Sequence, residues 1–238
     1  MKLLVCGKGG SGKTIITALL AKEFAERGLE VLVIDADRTN VGLHRKLGLP
    51  MPPDFMDLFN TKASFVGKEW RISALPSECL SEKNRIRLLS VGKIKANGEK
   101  RDLRNDCVEV VRQLLDTIQT PRNEIVLVDT EAGFENFGSL LQSKVDAILM
   151  VVDPSCESLS LAEKVNCICQ KADRPLYFIM NRTTAVNEYD MRRAVHKFGR
   201  IAGCLPDYKT ISASGLKGRE FHADYDEIIW LADFCQTL

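Results

Sequence analysis

The sequence predicts an α/β fold, a doubly wound, mostly parallel sheet with helices on both faces, built by residues 1–238 as a single domain. Three observations predict it. Uninterrupted apolar runs recur along the chain, as strands do when both of their faces are covered. Segments with apolar residues at helical spacing separate those runs. Each run gives way to glycine, a carboxylate, an amide or proline at its carboxyl end, the edge at which such sheets hold ligands.

The first element carries the strongest chemistry. Met1 to Cys6 is a short apolar strand that breaks into Gly7-Lys8-Gly9-Gly10-Ser11-Gly12-Lys13-Thr14, followed by the helical pattern from Ile15 to Leu20. Strand, glycine loop, lysine–hydroxyl pair and helix in that order make a phosphate-binding loop. Gly9, Gly10 and Gly12, with Ser11, let backbone N–H groups converge on an anion, and the helix adds the positive end of its dipole. Lys13 is placed to reach the terminal phosphates, and Thr14 to put its hydroxyl on a magnesium ion. A plain glycine turn would not need both. Lys8 is an addition that an ordinary loop of this kind does not require.

The helix after the loop presents Ile16, Leu19, Leu20 and Phe24 on one side, with Lys22, Glu23, Glu26 and Arg27 expected in water, and ends at Gly28. Val31 to Ile34 is a buried strand ending in Asp35-Ala36-Asp37, two carboxylates on the same edge as the glycine loop. From Arg38 to about Met56 the chain is irregular, and Asp57 to Phe59 suggests a short helix. Short alternating runs between Trp70 and Ile94 suggest strands at an edge or in an excursion. Lys93, Lys95, Lys100, Arg101 and Arg104 crowd an expected loop, where a solvated surface is the default. Cys107 to Ile118 has helical periodicity.

Ile125 to Asp129 is a second buried strand ending in a carboxylate. It has the form of a Walker B strand, so Asp129 is expected to hold magnesium, directly or through water. Gly133, four residues on, is placed to bring a backbone N–H to the γ-phosphate, a bond that would vanish on cleavage. Ala147 to Val152 is a strand ending at Asp153-Pro154, Leu159 to Ala172 a helix, and Leu176 to Met180 a strand ending at Asn181-Arg182. A side-chain amide both donates and accepts, so Asn181 is a candidate adenine reader. Ile201 to Leu205 ends at Pro206-Asp207, and helical segments near Ile211 to Lys217 and Ala223 to Gln236 follow.

Composition narrows the function classes. With 45% hydrophobic residues and a net charge of +1, the chain is an ordinary globular one, with neither a strongly basic nor an acidic balance. No apolar run is long enough to span a bilayer or make a signal-peptide core. The expected location is the cytoplasm, where the eight cysteines are read as thiols rather than a disulfide framework. Cys167-Ile168-Cys169 lies within an expected helix, where neighbours two apart do not share a face. His44, His196 and His222 form no metal-ligand spacing.

The run Lys8-Gly9-Gly10-Ser11-Gly12-Lys13-Thr14 resembles the deviant phosphate loop of the MinD/ParA group of P-loop NTPases. That resemblance implies ATP and Mg2+ as cofactors and a nucleotide-dependent, face-to-face homodimer in which Lys8 reaches the partner's nucleotide. It also implies that Asp37 positions or deprotonates water and contacts the metal, and that Pro206-Asp207 is a second adenine-contacting loop. The segments Asp129 to Gly138, Leu88 to Ile94 and Val151 to Ser155 resemble CooC-type ATPases, accessory proteins that help load nickel into carbon monoxide dehydrogenase. One departure stands out. That family carries Cys-x-Cys just before the helix near Cys107, and here the stretch reads Lys100-Arg101-Asp102-Leu103-Arg104-Asn105-Asp106-Cys107. Two Cys107 thiolates across a dimer axis fall short of the four ligands of a closed zinc-like site. Cys107 is therefore expected as a dimer-interface thiol, without the metal motif.

The resemblance implies an ATP-hydrolysing dimerisation switch acting on a client metalloenzyme of the nickel type. The alternative is a MinD/ParA-like spatial regulator that binds DNA or a partner protein. Asp224, Asp226, Glu227 and Asp233 make the carboxyl end acidic, which argues against a membrane anchor. DNA would want a concentrated basic face, for which the Lys93 to Arg104 cluster is the sole candidate. An iron–sulfur donor resembling the nitrogenase iron protein ranks last, because the region around Gly133 offers no second cysteine.

Overall fold

The computed structural model describes residues 1–59, 69–93, 104–131, 137–211, 218–222 and 224–238. Among them, eight strands form one sheet in the order β10-β9-β8-β1-β7-β2-β5-β4. The strands are β1 (Lys2–Gly7), β2 (Glu30–Ala36), β4 (Ser81–Lys83), β5 (Ile86–Ser90), β7 (Glu124–Thr130), β8 (Ala147–Val152), β9 (Leu176–Thr183) and β10 (Arg200–Pro206). All neighbours run parallel except β4, which pairs antiparallel with β5 at the edge. A two-stranded parallel ladder, β3 (Trp70–Arg71) with β6 (Ile118–Gln119), lies apart. The expected doubly wound sheet is thus observed, and the short runs after Trp70 resolve into one interior strand and edge pieces.

Alternation along the central strands explains why both faces are covered. On one face Leu4, Cys6, Leu32, Ile34, Val126, Val128, Ile148 and Met150 pack in one core. Against them lie Val111 and Leu115 of α4 (Arg104–Thr117), Val165 of α6 (Cys156–Lys171) and Val195 of α7 (Glu188–Val195). On the other face Leu3, Val5, Val31, Val33, Leu127 and Leu149 meet α1 (Lys13–Glu26) through Ile16, Leu19, Leu20 and Phe24. Leu43 of α2 (Leu43–Leu47) and Leu231 of the last helix, α8 (Asp226–Cys235), complete that layer. Each such fully buried Leu or Ile contributes about 1.5–3 kcal/mol, so the two layers rather than helix propensity hold the sheet. Short helices α3 (Phe55–Phe59) and α5 (Phe137–Leu140) sit in the connections.

Some expectations move. The helix expected from Leu159 begins at Cys156, because the Ser155 side chain accepts from the Ser158 N–H and caps it. Helix α7 was not anticipated: only Met191 and Val195 of its eight residues are buried, too few to register as a period. Ile201 to Leu205 lies on edge strand β10, where Cys204 is half-buried with its Sγ 3.3 Å from Thr183 Oγ1. The helix expected from Ile211 falls mostly outside the described residues. No helix among the described residues is long and apolar enough to cross a membrane.

The strand order sets the position of the site. From β1 the chain moves outward past β2 to edge strand β4, turns back through β5 to β7 beside β1, then crosses to β8 on the other side. The reversal leaves a crevice at the carboxyl ends of β1, β7 and β2, where open α/β sheets bind ligands.

Candidate functional site

The loop between β1 and α1 owes its shape to glycine at two positions. Gly7 has φ +145°, and a Cβ there would stand 2.4 Å from the Val151 carbonyl oxygen of β8. Gly12 has φ +107°, and a Cβ there would stand 2.1 Å from Asn181 Nδ2. The Ser11 N–H donates to the Lys8 carbonyl at 3.1 Å, closing the turn around exposed Gly9 and Gly10. Lys13, only 5% exposed, sends its ammonium back across the turn to the same Lys8 carbonyl at 3.1 Å. The cradle is therefore preformed, with its cation already inside it. Gly12→Ala is expected to cost about 1–2 kcal/mol through the left-handed backbone and to displace Asn181; thermal unfolding with and without nucleotide would read both effects.

Asp129 sits at the centre of a row of side chains. Register aligns it with Val5 of β1 and Asp35 of β2, and Asp35 in turn with Ser90 of β5. Asp129 is fully buried, and neither carboxylate oxygen completes a hydrogen bond. Burial pushes its pKa up to about 7, with the nearby Asp35 charge adding to the rise; Thr14 and Lys13 lie close enough to offset part of it. Asp35 is pushed up to about 6 by burial, opposed chiefly by Lys93. An unpaired buried carboxylate beside a glycine cradle is costly unless a cation completes it.

Asp37 caps its own loop. Its Oδ1 accepts from Thr39 N at 3.0 Å, Thr39 Oγ1 at 2.8 Å and Asn40 N at 3.1 Å. Asn40 then donates from Nδ2 to the Thr14 hydroxyl at 3.0 Å, tying the Asp37 segment to the first turn of α1. Nothing in the sequence singled out Asn40, because that contact depends on how the loop after β2 returns.

Lys8 lies against its own chain. Its ammonium donates to Ser155 Oγ at 2.9 Å and pairs with Asp153 Oδ2 at 3.5 Å, with 34% of the side chain exposed. Asn181, at the end of β9, donates from Nδ2 to the Ser11 carbonyl at 2.7 Å. One arm of its amide is thus spent on the loop, a contact the strand-end position alone does not reveal. Pro206 ends β10 at the same edge of the sheet, and Asp207 follows it, its N–H donating to the Thr183 carbonyl at 3.1 Å. Gly133 lies outside the described residues.

Two sequence expectations are corrected. Cys107 is not presented as an interface thiol: it is 4% exposed, in the core under α4, and a Cβ on Gly92 would stand 2.2 Å from its Sγ. The apolar face of α4 turns it inward. Lys93 is not part of a solvated cluster. Its ammonium forms a buried ion pair with Asp35 at 2.7 Å, their side chains 7% and 3% exposed. Lys95, Lys100 and Arg101 lie outside the described residues.

With this geometry in place, the comparisons are specific. Residues 3–196 match the family model described as the CobQ/CobB/MinD/ParA nucleotide binding domain. An uncharacterized ATP-binding protein of Methanocaldococcus jannaschii is 37% identical over 247 aligned positions, covering 96% of each chain. The carbon monoxide dehydrogenase accessory protein CooC of Rhodospirillum rubrum is 31% identical over 184, covering 69% of this chain and 67% of its own. Among solved structures, the septum site-determining protein MinD of Pyrococcus horikoshii, complexed with Mg-ADP, superposes with a TM-score of 0.70. It is 20% identical, covering 98% of this chain and 94% of that one, and so shows the fold alone.

Proposed function

Because this chain belongs to the CobQ/CobB/MinD/ParA nucleotide-binding domain family, we propose that it is an ATP-driven dimerisation switch serving as an accessory factor for a metalloenzyme of the nickel type. The observation that carries the ATPase reading is the meeting of three features at one sheet edge. They are a preformed glycine cradle holding Lys13, a buried Asp129 carboxylate whose oxygens complete no hydrogen bond, and an Asp37 loop tied through Asn40 to the Thr14 hydroxyl. The accessory role is supported by the 31% identity with CooC.

Magnesium suits the residues present. Thr14, Asp129 and Asp37 offer a hydroxyl and two carboxylates of hard oxygen character, and the Asp129 oxygens have no other use. Among the described residues no group of three or more His, Cys, Asp and Glu side chains holds a metal by itself, which agrees with a site that phosphate oxygens and water complete. When bound, the ion neutralises charge on the β- and γ-phosphates.

The chain's own residues do the rest. Lys13 and the N–H groups of Gly9, Gly10, Gly12 and Thr14 hold the phosphates, Ser11 shapes the turn that presents them through its bond to the Lys8 carbonyl, and Asn181, Pro206 and Asp207 face the base. Asp37 orients a water molecule and takes its proton as the water oxygen bonds to the γ-phosphorus. The bond from that phosphorus to the β–γ bridging oxygen breaks, giving ADP and inorganic phosphate. Gly133, outside the described residues, is assigned by its place in the sequence alone to sense the γ-phosphate, whose loss on cleavage would free the partner.

Lys8 is assigned to the partner's nucleotide. In the single chain its ammonium is occupied by Ser155 and Asp153, so crossing exchanges those two contacts for phosphate. Lys8→Ala is expected to leave the Kd for nucleotide within about threefold, since Lys13 still fills the cradle, while abolishing dimerisation by a non-hydrolysable ATP analogue. Light scattering on a sizing column reads this directly, and a normal dimer of the variant would refute the role. DNA binding measured across salt concentrations separates the regulator: strong, salt-sensitive binding in the ATP state would replace the accessory role with that one.

A further inference from the structure

Lys93 belongs to neither the glycine loop nor the strand-end carboxylates, yet each of the three hydrogens of its ammonium meets an acceptor near the carboxylate row. The partners are Asp35 Oδ2 at 2.7 Å, the Asn40 carbonyl at 2.7 Å and the Asp37 carbonyl. A lysine has three such donors and no more, so this ammonium is saturated. Two of its acceptors are main-chain carbonyls at the two ends of the segment from Asp37 to Asn40. The third is a carboxylate in register with Asp129 on the neighbouring strand.

The lysine is itself held from behind. Gly92, with φ +71°, turns the chain after β5, and the Asp54 carboxylate accepts from the Gly92 N–H at 2.9 Å and the Lys93 N–H at 2.7 Å. A parallel bridge between Asp54 and Ser90 seats that carboxylate beside the strand end. Arg38 adds a second tie, donating from Nε to the Gly92 carbonyl at 3.1 Å. The end of β5 and the loop after β2 are thus clasped at two points 54 and 56 residues apart in sequence.

We propose that Lys93 is a positioning residue for the Asp37–Asn40 segment: anchored on Asp35, its ammonium holds the carbonyls of Asp37 and Asn40, and so fixes the turn that caps the Asp37 carboxylate and aims the Asn40 amide at Thr14. The inference rests on the ATPase reading for its catalytic consequence, but not for its structural one. Two of its three hydrogens are committed to the main chain of the loop, so the buried ion pair and the course of the loop after β2 are fixed by the same group. The same clasp leaves Asp35 paired and Asp129 unpaired, which divides the two carboxylates between support and ligand.

The test uses the full chain. Lys93→Met keeps the aliphatic stem but strands a buried Asp35 charge and risks misfolding. The double variant Asp35→Asn/Lys93→Met removes both charges and keeps the shape. In the nucleotide-free, magnesium-free double variant, hydrogen exchange at the Thr39 and Asn40 amides, both bonded to Asp37 Oδ1, is expected to rise about tenfold or more. Amides in the middle of β2 and β7 keep their protection. With Mg·ATP, kcat is expected to fall about tenfold with KM within twofold, since the phosphate cradle is untouched. Unchanged protection at Thr39 and Asn40 would overturn the proposal. So would a double variant with full kcat, and so would a general loss of protection across the sheet, which marks a merely structural ion pair. If the wild-type protein hydrolyses no ATP, the ATPase reading fails, and the exchange measurement still decides whether Lys93 holds the loop.

Discussion

Lys13→Ala should weaken Mg·ATP binding by about a hundredfold or more while leaving the fold intact. The ammonium it removes is the cation inside the cradle, and its loss forfeits a charge-assisted contact to phosphate worth about 3 kcal/mol. A second cost adds to the first. Lys13 also bonds the Lys8 carbonyl across the turn at 3.1 Å, so the variant loosens the loop itself. The fold should survive, because the lysine stem lies at the mouth of α1 while Ile16, Leu19, Leu20 and Phe24 hold that helix to the sheet. Isothermal calorimetry with the ATP analogue gives the number. A Kd within a few-fold of wild type would remove the cradle from the account.

Asp129→Asn should move stability and activity in opposite directions. At pH 8 without magnesium the variant should be more stable than the wild type by about 2 kcal/mol, roughly 4–8 °C in Tm for a chain of this size. The reason is that Asp129 is fully buried and neither oxygen completes a hydrogen bond, the Thr14 hydroxyl lying near without the geometry of one, so amide for carboxylate relieves a poorly compensated buried charge. The sign with pH follows from linkage. The pKa of Asp129 is raised on folding to about 7, so between about pH 4 and pH 7 the folded chain holds a proton that the unfolded chain has lost. Stability therefore falls as pH rises through that window, and the penalty is complete above it. The gain of the variant should be absent near pH 4 and full by pH 8. Asp35, raised to about 6, tilts both proteins the same way at the lower end, and because its charge also raises Asp129, the difference between them reads Asp129 together with that coupling. Activity goes the other way: magnesium-dependent hydrolysis should drop at least about a hundredfold, as a lost charge ligand implies. Melting curves in chelator across pH, paired with a phosphate-release assay, check both halves. A variant less stable than wild type at pH 8 would mean that Asp129 has a partner the geometry does not reveal.

Both predictions draw on residues that the sequence marks, and the others do not all share that. The glycine loop, Lys13, Thr14 and Asp129 were legible because their chemistry is local: a phosphate cradle needs consecutive residues in order, and a strand-end carboxylate follows directly on its strand. Asn181 was legible as a strand-end residue but not as a contact of Ser11, because strands β1 and β9 are brought close only through β8. Cys107 misled, since a cysteine beside charged residues reads as exposed until the apolar face of α4 is seen to bury it. Lys93 misled for the same reason in reverse: its neighbours in sequence are cations, but its neighbours in space are Asp35 and two carbonyls.

The sequence alone determined the alternation of buried strands with helices, and with it the doubly wound sheet and the edge on which its polar residues collect. Period and loop chemistry act over a few residues, so they survive translation into one dimension. Only the tertiary structure decided which carboxylate is paired and which is left bare. It also decided where Lys8 rests in the single chain, and that a lysine between β5 and α4 grips the loop after β2. Those outcomes depend on strand order and on the distance between side chains 50 or more residues apart, and no local pattern encodes that distance.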